Sequence, residues 1–190
     1  MLKNIKLVGV GGQGTILSTK ILTQALLNAG FDVKMSEIHG MSQRGGSVSS
    51  DIRFGKNISS PVVIKGTADF LVAFEKMEAV RYLDYLKKDG ILIVNDLKIH
   101  SMLTQAGKTK YPEDIIQYLK KHENTYIFDA TNKAIELGNS KVLNIILLGV
   151  LVHAMELEDL PIIKAIEELV KPQFVEINKK AYKLGLSMIE

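Results

Sequence analysis

Short β-branched apolar runs alternate along the chain with longer stretches that have helical spacing. Positions 5–10 are almost wholly apolar and stop at glycines, the pattern of a central strand buried on both faces. Beyond Gly14, apolar residues recur at Ile16, Leu17, Ile21, Leu22, Ala25, Leu26 and Ala29, a 3.6-residue stripe that Gly30 ends. Positions 32–39 predict a second extended segment, 40–46 a loop, and 47–54 a strand with one polar face. A short buried strand at 70–74 leads into a helix over 75–86, with Met77, Val80, Leu83 and Leu86 on its apolar side. Asp89-Gly90 reads as a turn and 91–94 as the next strand, with Asn95 and Asp96 at its carboxyl end. Pro112 predicts the start of a helix reaching about residue 122. Positions 125–128 form a further strand and 130–137 a helix ended by Gly138. The stretch 142–155 is apolar on most faces. It predicts a central helix with sheet on one side and another body, such as a partner subunit, on the other. Pro161 and Pro172 start two more amphipathic helices, 161–170 and 172–185.

Strands and helices alternating at these lengths define an α/β fold. The expectation is a three-layer Rossmann-like domain with a mostly parallel central sheet and C-terminal helices, one domain over residues 1–190. In such sheets ligands collect outside the carboxyl ends of the strands. Ten of the fifteen glycines lie before residue 67, beside the first strands, where the fold puts a site. Asp129 reads as a helix cap, and a capping role is favoured over a catalytic one for Asn95 and Asp96. Asn144, set in an apolar helix, must be hydrogen-bonded if buried. It would hold a loop or a partner's backbone.

Composition narrows the chemistry. With no cysteine there are no disulfides, thiolate metal sites, Cys nucleophiles or iron–sulfur ligands within the chain. The four histidines at 39, 100, 122 and 153 are too scattered to suggest a metal centre. Net charge is only +3, and residues 1–60 carry seven basic side chains against three acidic ones. That balance suits an anionic ligand or partner better than a nucleic acid, which needs a denser basic stripe. No cleavage site follows the first apolar run, and no run is long enough to span a bilayer of about 30 Å. A cytoplasmic chain without a membrane role is expected.

Two glycine loops carry the candidate chemistry. Gly9, Gly11 and Gly14 satisfy G-x-G-x-x-G after a strand and before a helix, the context in which that pattern binds phosphates. Gly12 and Gln13 are unusual for a nicotinamide site, and neither Asp32 nor Glu37 fits the acid that such a site requires. The loop is thus either an anion cradle or a tight packing turn. The second loop sets His39, Gln43 and Arg44 beside Gly45 and Gly46. Arg44 could fork onto a carboxylate or phosphate, or pair across an interface. If the second strand runs parallel to the first, His39 lies on the rim of the first loop and the two loops share one mouth. The sequence offers no Ser–His–Asp set, standout carboxylate pair or Walker lysine. The chain reads as incomplete for catalysis, and no catalytic residue is assigned.

GVGGQG at 9–14 and SEIHGMSQRGGSVSSDIRFG at 36–55 resemble the gamma-type module of the 2-oxoacid:ferredoxin oxidoreductases. The spelling of 39–46 is most similar to the indolepyruvate branch of that superfamily. Pyruvate and 2-oxoglutarate relatives tend to carry a Tyr-Gly-Pro-Glu type of sequence before Arg-Gly-Gly. Asn144 before its apolar run and Gly149 also resemble the family pattern. The resemblance covers essentially the whole chain. It implies a non-thiamine-binding subunit of an enzyme that decarboxylates aryl 2-oxoacids to the aryl-acyl coenzyme A and reduces ferredoxin. Thiamine diphosphate and the iron–sulfur clusters would lie on a larger alpha subunit, and coenzyme A would enter at the interface. Carried over by motif, Gly9, Gly11, Gly12, Gln13 and Gly14 would face an anion or nucleotide. His39, Gln43, Arg44, Gly45 and Gly46 would lie near the partner and the coenzyme A path. A gamma subunit for another 2-oxoacid and a stand-alone dinucleotide-binding protein remain the alternatives.

Overall fold

The computed structural model describes residues 2–39 and 46–189, apart from the side chains of His39, Met102 and Leu103. Its centre is a six-stranded sheet. The strands are β1 (Lys3–Val10), β2 (Asp32–His39), β3 (Ser47–Gly55), β4 (Ala68–Ala73), β5 (Leu86–Asn95) and β6 (Thr125–Phe128). Their spatial order is β2-β3-β1-β4-β5-β6. The β1–β4, β4–β5 and β5–β6 pairings are parallel, whereas β3 runs antiparallel to both β1 and β2. The sheet is therefore mixed, with one reversed strand inserted between two that point the same way. The carboxyl ends of β1, β2, β4, β5 and β6 share one rim with the amino end of β3.

Helices cover both faces. One face carries α1 (Thr15–Asn28), α5 (Ala130–Glu136) and α6 (Leu143–Ala154), with α7 (Ile162–Leu169) and α8 (Val175–Leu186) packed outside them. The other carries α2 (Lys76–Tyr82) and α4 (Ile115–Leu119). A four-residue helix, α3 (Met102–Gln105), lies in the connection after β5. Asp129 caps α5 as expected, accepting the Asn132 N–H at 3.0 Å. Gly30 follows α1 at φ 84°, a conformation that a side chain would oppose.

Several boundaries differ from the sequence reading. The helix expected over 75–86 stops at Tyr82, and a 3₁₀ turn at Leu83–Tyr85 delivers the chain into β5. Asp89-Gly90 is no turn between elements. It lies inside β5, where Ala68 pairs with Leu86 but Phe70 pairs with Ile91, so the extra residues bulge out. The helix expected from Pro112 is confined to Ile115–Leu119. The outer cover on α6 is the chain's own α8, not a partner subunit. Gly149 and Gly185 let the two backbones touch: a Cβ on Gly149 would stand 2.9 Å from Gly185 Cα.

The polar face expected for β3 exists, but it is buried. Lys6 of β1 is 2% exposed and Asp51 of β3 is 4% exposed, and they lie opposite each other in register. Lys6 Nζ donates to Asp51 Oδ1 at 2.5 Å, and the Val63 N–H donates to Asp51 Oδ2 at 3.0 Å. The ammonium also sits 4.2 Å from the Tyr85 ring centroid. Removing one member of such a pair leaves an uncompensated buried charge, which costs about 3–5 kcal/mol. Asp51→Ala should therefore lower unfolding stability by about that amount in urea denaturation. A loss under about 1 kcal/mol would mean that water reaches Lys6.

Candidate functional site

The rim at the carboxyl ends of the strands gathers both glycine motifs. Val10 pairs with Ser47 and His39 with Val48, so the first loop and both flanks of the second lie on the same edge. The Gly11 N–H donates to the Gly46 carbonyl at 2.9 Å and ties the loops together directly. The backbone of His39 ends β2 on this rim. Gln43, Arg44 and Gly45, expected in the second loop, lie outside the described residues.

The first loop is braced from within. Gln13 Oε1 accepts the Val10 N–H at 2.7 Å, and Gln13 Nε2 donates to the Phe74 carbonyl at 2.9 Å. The Gln13 N–H itself donates to the Val10 carbonyl at 3.2 Å. The Gln13 amide thus bridges the ends of β1 and β4, the crevice where the strand order changes direction. A phosphate cradle aims its N–H groups at the ligand. Here the N–H groups of Val10, Gly11 and Gln13 are directed to acceptors within the chain. Gly9 is buried against Gln13 and Phe74, and Gly12 is exposed.

Asn144 explains Gly14. Its Nδ2 donates to the Gly14 carbonyl at 3.1 Å, and its own carbonyl accepts the Ser18 hydroxyl at 3.0 Å. Gly14 has φ 82°, and a Cβ there would lie 2.6 Å from Asn144 Nδ2. The expected loop-holding role of Asn144 is met by the first glycine loop. Asn95 and Asp96 do not cap. Asn95 Nδ2 donates to the Phe74 carbonyl and to Thr131 Oγ1 of α5, and Asp96 pairs with Lys76 at 2.7 Å.

Beside the loops a cleft of about 280 Å³ opens between Val10, Ser47, α2 and the 99–112 segment. Its acids went unnoticed in the sequence. Glu75 follows β4 and caps α2, with Oε2 accepting from the N–H groups of Met77 and Glu78. Its Oε1 accepts the Tyr111 hydroxyl at 2.5 Å and the Ile99 N–H at 3.2 Å. Burial, then this bond to the Glu75 carboxylate, pushes the Tyr111 phenol far above its ordinary range. Glu78 Oε2 accepts the Ser47 hydroxyl at 2.5 Å, and Arg81 Nε lies 3.5 Å from Glu78 Oε1. Burial raises the Glu78 carboxyl. The nearby charge of Glu75 adds to the rise, while the Ser47 bond and Arg81 oppose it. The available signal was the pattern F-E-K-M-E directly after a buried strand, which puts two carboxylates at i and i+3 on the rim. Among the described residues, no group of three His, Asp or Glu side chains could hold a metal ion, and no helix is long and apolar enough to cross a membrane.

This architecture is that of a subunit of the keto-acid oxidoreductases. Residues 4–188 match the model of the pyruvate ferredoxin/flavodoxin oxidoreductase family, and the chain belongs to that family. It is 38% identical over 189 residues to indolepyruvate oxidoreductase subunit IorB of Pyrococcus horikoshii, covering 96% of this chain and 94% of that relative. It is 29% identical to 2-oxoglutarate synthase subunit KorC of Methanothermobacter thermautotrophicus, covering 98% of this chain and 95% of that one. The crystal structure of a keto/oxoacid ferredoxin oxidoreductase gamma subunit from Geobacter sulfurreducens superposes with a TM-score of 0.73 at 26% identity, over 98% of this chain and 97% of that one.

Two outcomes follow from this geometry. Gln13→Ala removes an acceptor and a donor at the crevice and leaves the Val10 N–H and Phe74 carbonyl without those partners, a cost of about 1–3 kcal/mol in denaturant unfolding. Thermal unfolding as a function of pH tests Glu78. A carboxyl raised by folding stabilises the fold most below its unfolded value, and that contribution fades as pH climbs through the raised value. Glu78→Gln should flatten that segment of the stability profile, and an unchanged slope would show that Glu78 titrates alike in both states.

Proposed function

We propose that this chain is the non-thiamine-binding subunit of a ferredoxin-dependent oxidoreductase that decarboxylates aryl 2-oxoacids such as indolepyruvate to the aryl-acyl coenzyme A. The observation that carries the reading is the near full-length match to an indolepyruvate oxidoreductase subunit at 38%, against 29% for the 2-oxoglutarate relative. The rim supports it. Two loops bonded to each other at Gly11 and Gly46 present one edge suited to being closed by another polypeptide. The Gln13 amide fills the crevice that a nicotinamide pyrophosphate would use, which argues against a stand-alone dehydrogenase.

In this reading the work is divided. The chain has no cysteine to ligate an iron–sulfur cluster, so the clusters belong to the alpha subunit, which also carries thiamine diphosphate. Thiamine there supplies the carbanion stabilisation that decarboxylation of a 2-oxoacid requires. This chain contributes positioning: Asn144 and Gln13 fix the first loop, and Gly46 fixes the exit of the second. Coenzyme A enters at the interface, where Arg44 offers a charged fork to its anionic groups. The chain performs no chemistry by itself.

Co-purification with its cysteine-rich thiamine partner tests the proposal through coenzyme A-dependent reduction of ferredoxin. Activity should need both polypeptides and favour indolepyruvate over pyruvate and 2-oxoglutarate. In that complex, Arg44→Ala should raise the KM for coenzyme A or weaken assembly. Turnover by this chain alone, or a preference for 2-oxoglutarate, would contradict the reading.

A further inference from the structure

The subunit reading gives no role to the cleft between Ser47, α2 and the 99–112 segment. Its acids are buried and turned toward donors of this chain. Glu75 is 1% exposed, and its two oxygens already accept from four donors. Glu78 is 4% exposed, with one oxygen bonded to Ser47 and the other turned toward Arg81. The cations are differently placed. The Arg81 side chain is 56% exposed, and its approach to Glu78 through Nε is the one ion pair it makes among the described residues. Lys110 lines the same cleft, is exposed, and makes no ion pair among the described residues. A third cation, Lys98, lies outside the lining, with its ammonium 4.7 Å from the ring centroid of the lining residue Tyr111. The lining thus sets two exposed cations with donors to spare, Arg81 and Lys110, beside two buried carboxylates whose oxygens face donors of this chain. Its volume of about 280 Å³ suits a small molecule.

We infer that this cleft binds a small oxyanion, a phosphate ester or a carboxylate, between the Arg81 guanidinium and the Lys110 ammonium. Arginine's planar fork meets either group with two parallel hydrogen bonds, and lysine adds a point charge. Both residues that would hold the anion, Arg81 and Lys110, belong to this chain, so its failure would leave the subunit reading standing.

Isothermal titration of the purified full-length chain tests it, with inorganic pyrophosphate in one arm and malonate in the other, at fixed ionic strength in a phosphate-free buffer. Saturable binding is expected in at least one arm, and the preferred arm identifies phosphate or carboxylate as the group recognised. Arg81→Gln and Lys110→Gln should each weaken it at least tenfold. Lys110 is on an exposed stretch, so its replacement reads the site without disturbing the core. Lys164→Gln, an exposed lysine on α7, should leave binding unchanged. Absence of saturable binding in both arms, binding that survives Lys110→Gln, or equal weakening by Lys164→Gln would overturn the inference.

Discussion

The direction of β3 is the constraint on which the rest depends. A strand inserted antiparallel between two that point the same way must begin where its neighbours end. That one reversal brings Ser47 to Val10, lets Gly46 accept from Gly11, and places the Ser47 hydroxyl against Glu78. A parallel β3 would have sent the exit of the second loop, with Ser47, to the far edge of the sheet. The reversal also sets Asp51 opposite Lys6, and the buried pair favours this register over its slips: moving β3 by one residue would turn Asp51 to the other face and leave Lys6 alone in the core.

The rim is assembled by side chains that act as struts. Gln13, Asn95 and Asn144 are polar residues in apolar surroundings, and each holds a backbone carbonyl near the ends of β1 and β4. The Phe74 carbonyl receives both Gln13 and Asn95, so loop, sheet and α5 converge on one acceptor. Fixing a loop in advance removes the entropy that a partner or ligand would otherwise have to overcome on binding. A subunit whose task is to position its neighbours' chemistry gains most from that rigidity.

Local signals were sufficient for elements with a strong period and matching punctuation. The stripe after Gly14, the second extended segment at 32–39, the strand at 125–128 and the Asp129 cap were all legible. Features that depend on distant partners were not. Asp89-Gly90 has turn chemistry, but pairing with β4 before it, at Leu86, and after it, at Ile91, holds it inside β5 as a bulge. The strand at 47–54 read only as having one polar face, because nothing in it announces that Asp51 meets Lys6, 45 residues earlier, in the interior. The need of Asn144 for a partner was visible from its apolar setting, but the identity of that partner, Gly14, was not. Glu75 and Glu78 drew no notice, since burial of a carboxylate is decided by Tyr111 and Ser47 on other elements.

Because the chain has no cysteine, paired replacements report strand direction without background. Val10→Cys with Ser47→Cys places two thiols opposite each other on the antiparallel β1–β3 pair, within the span a disulfide bridges. Mild oxidation should cross-link this variant nearly completely, while Val10→Cys with Phe54→Cys should stay reduced. The reverse outcome, a bond between positions 10 and 54 and none between 10 and 47, would mean that β3 runs the other way and that the two glycine loops do not share a rim.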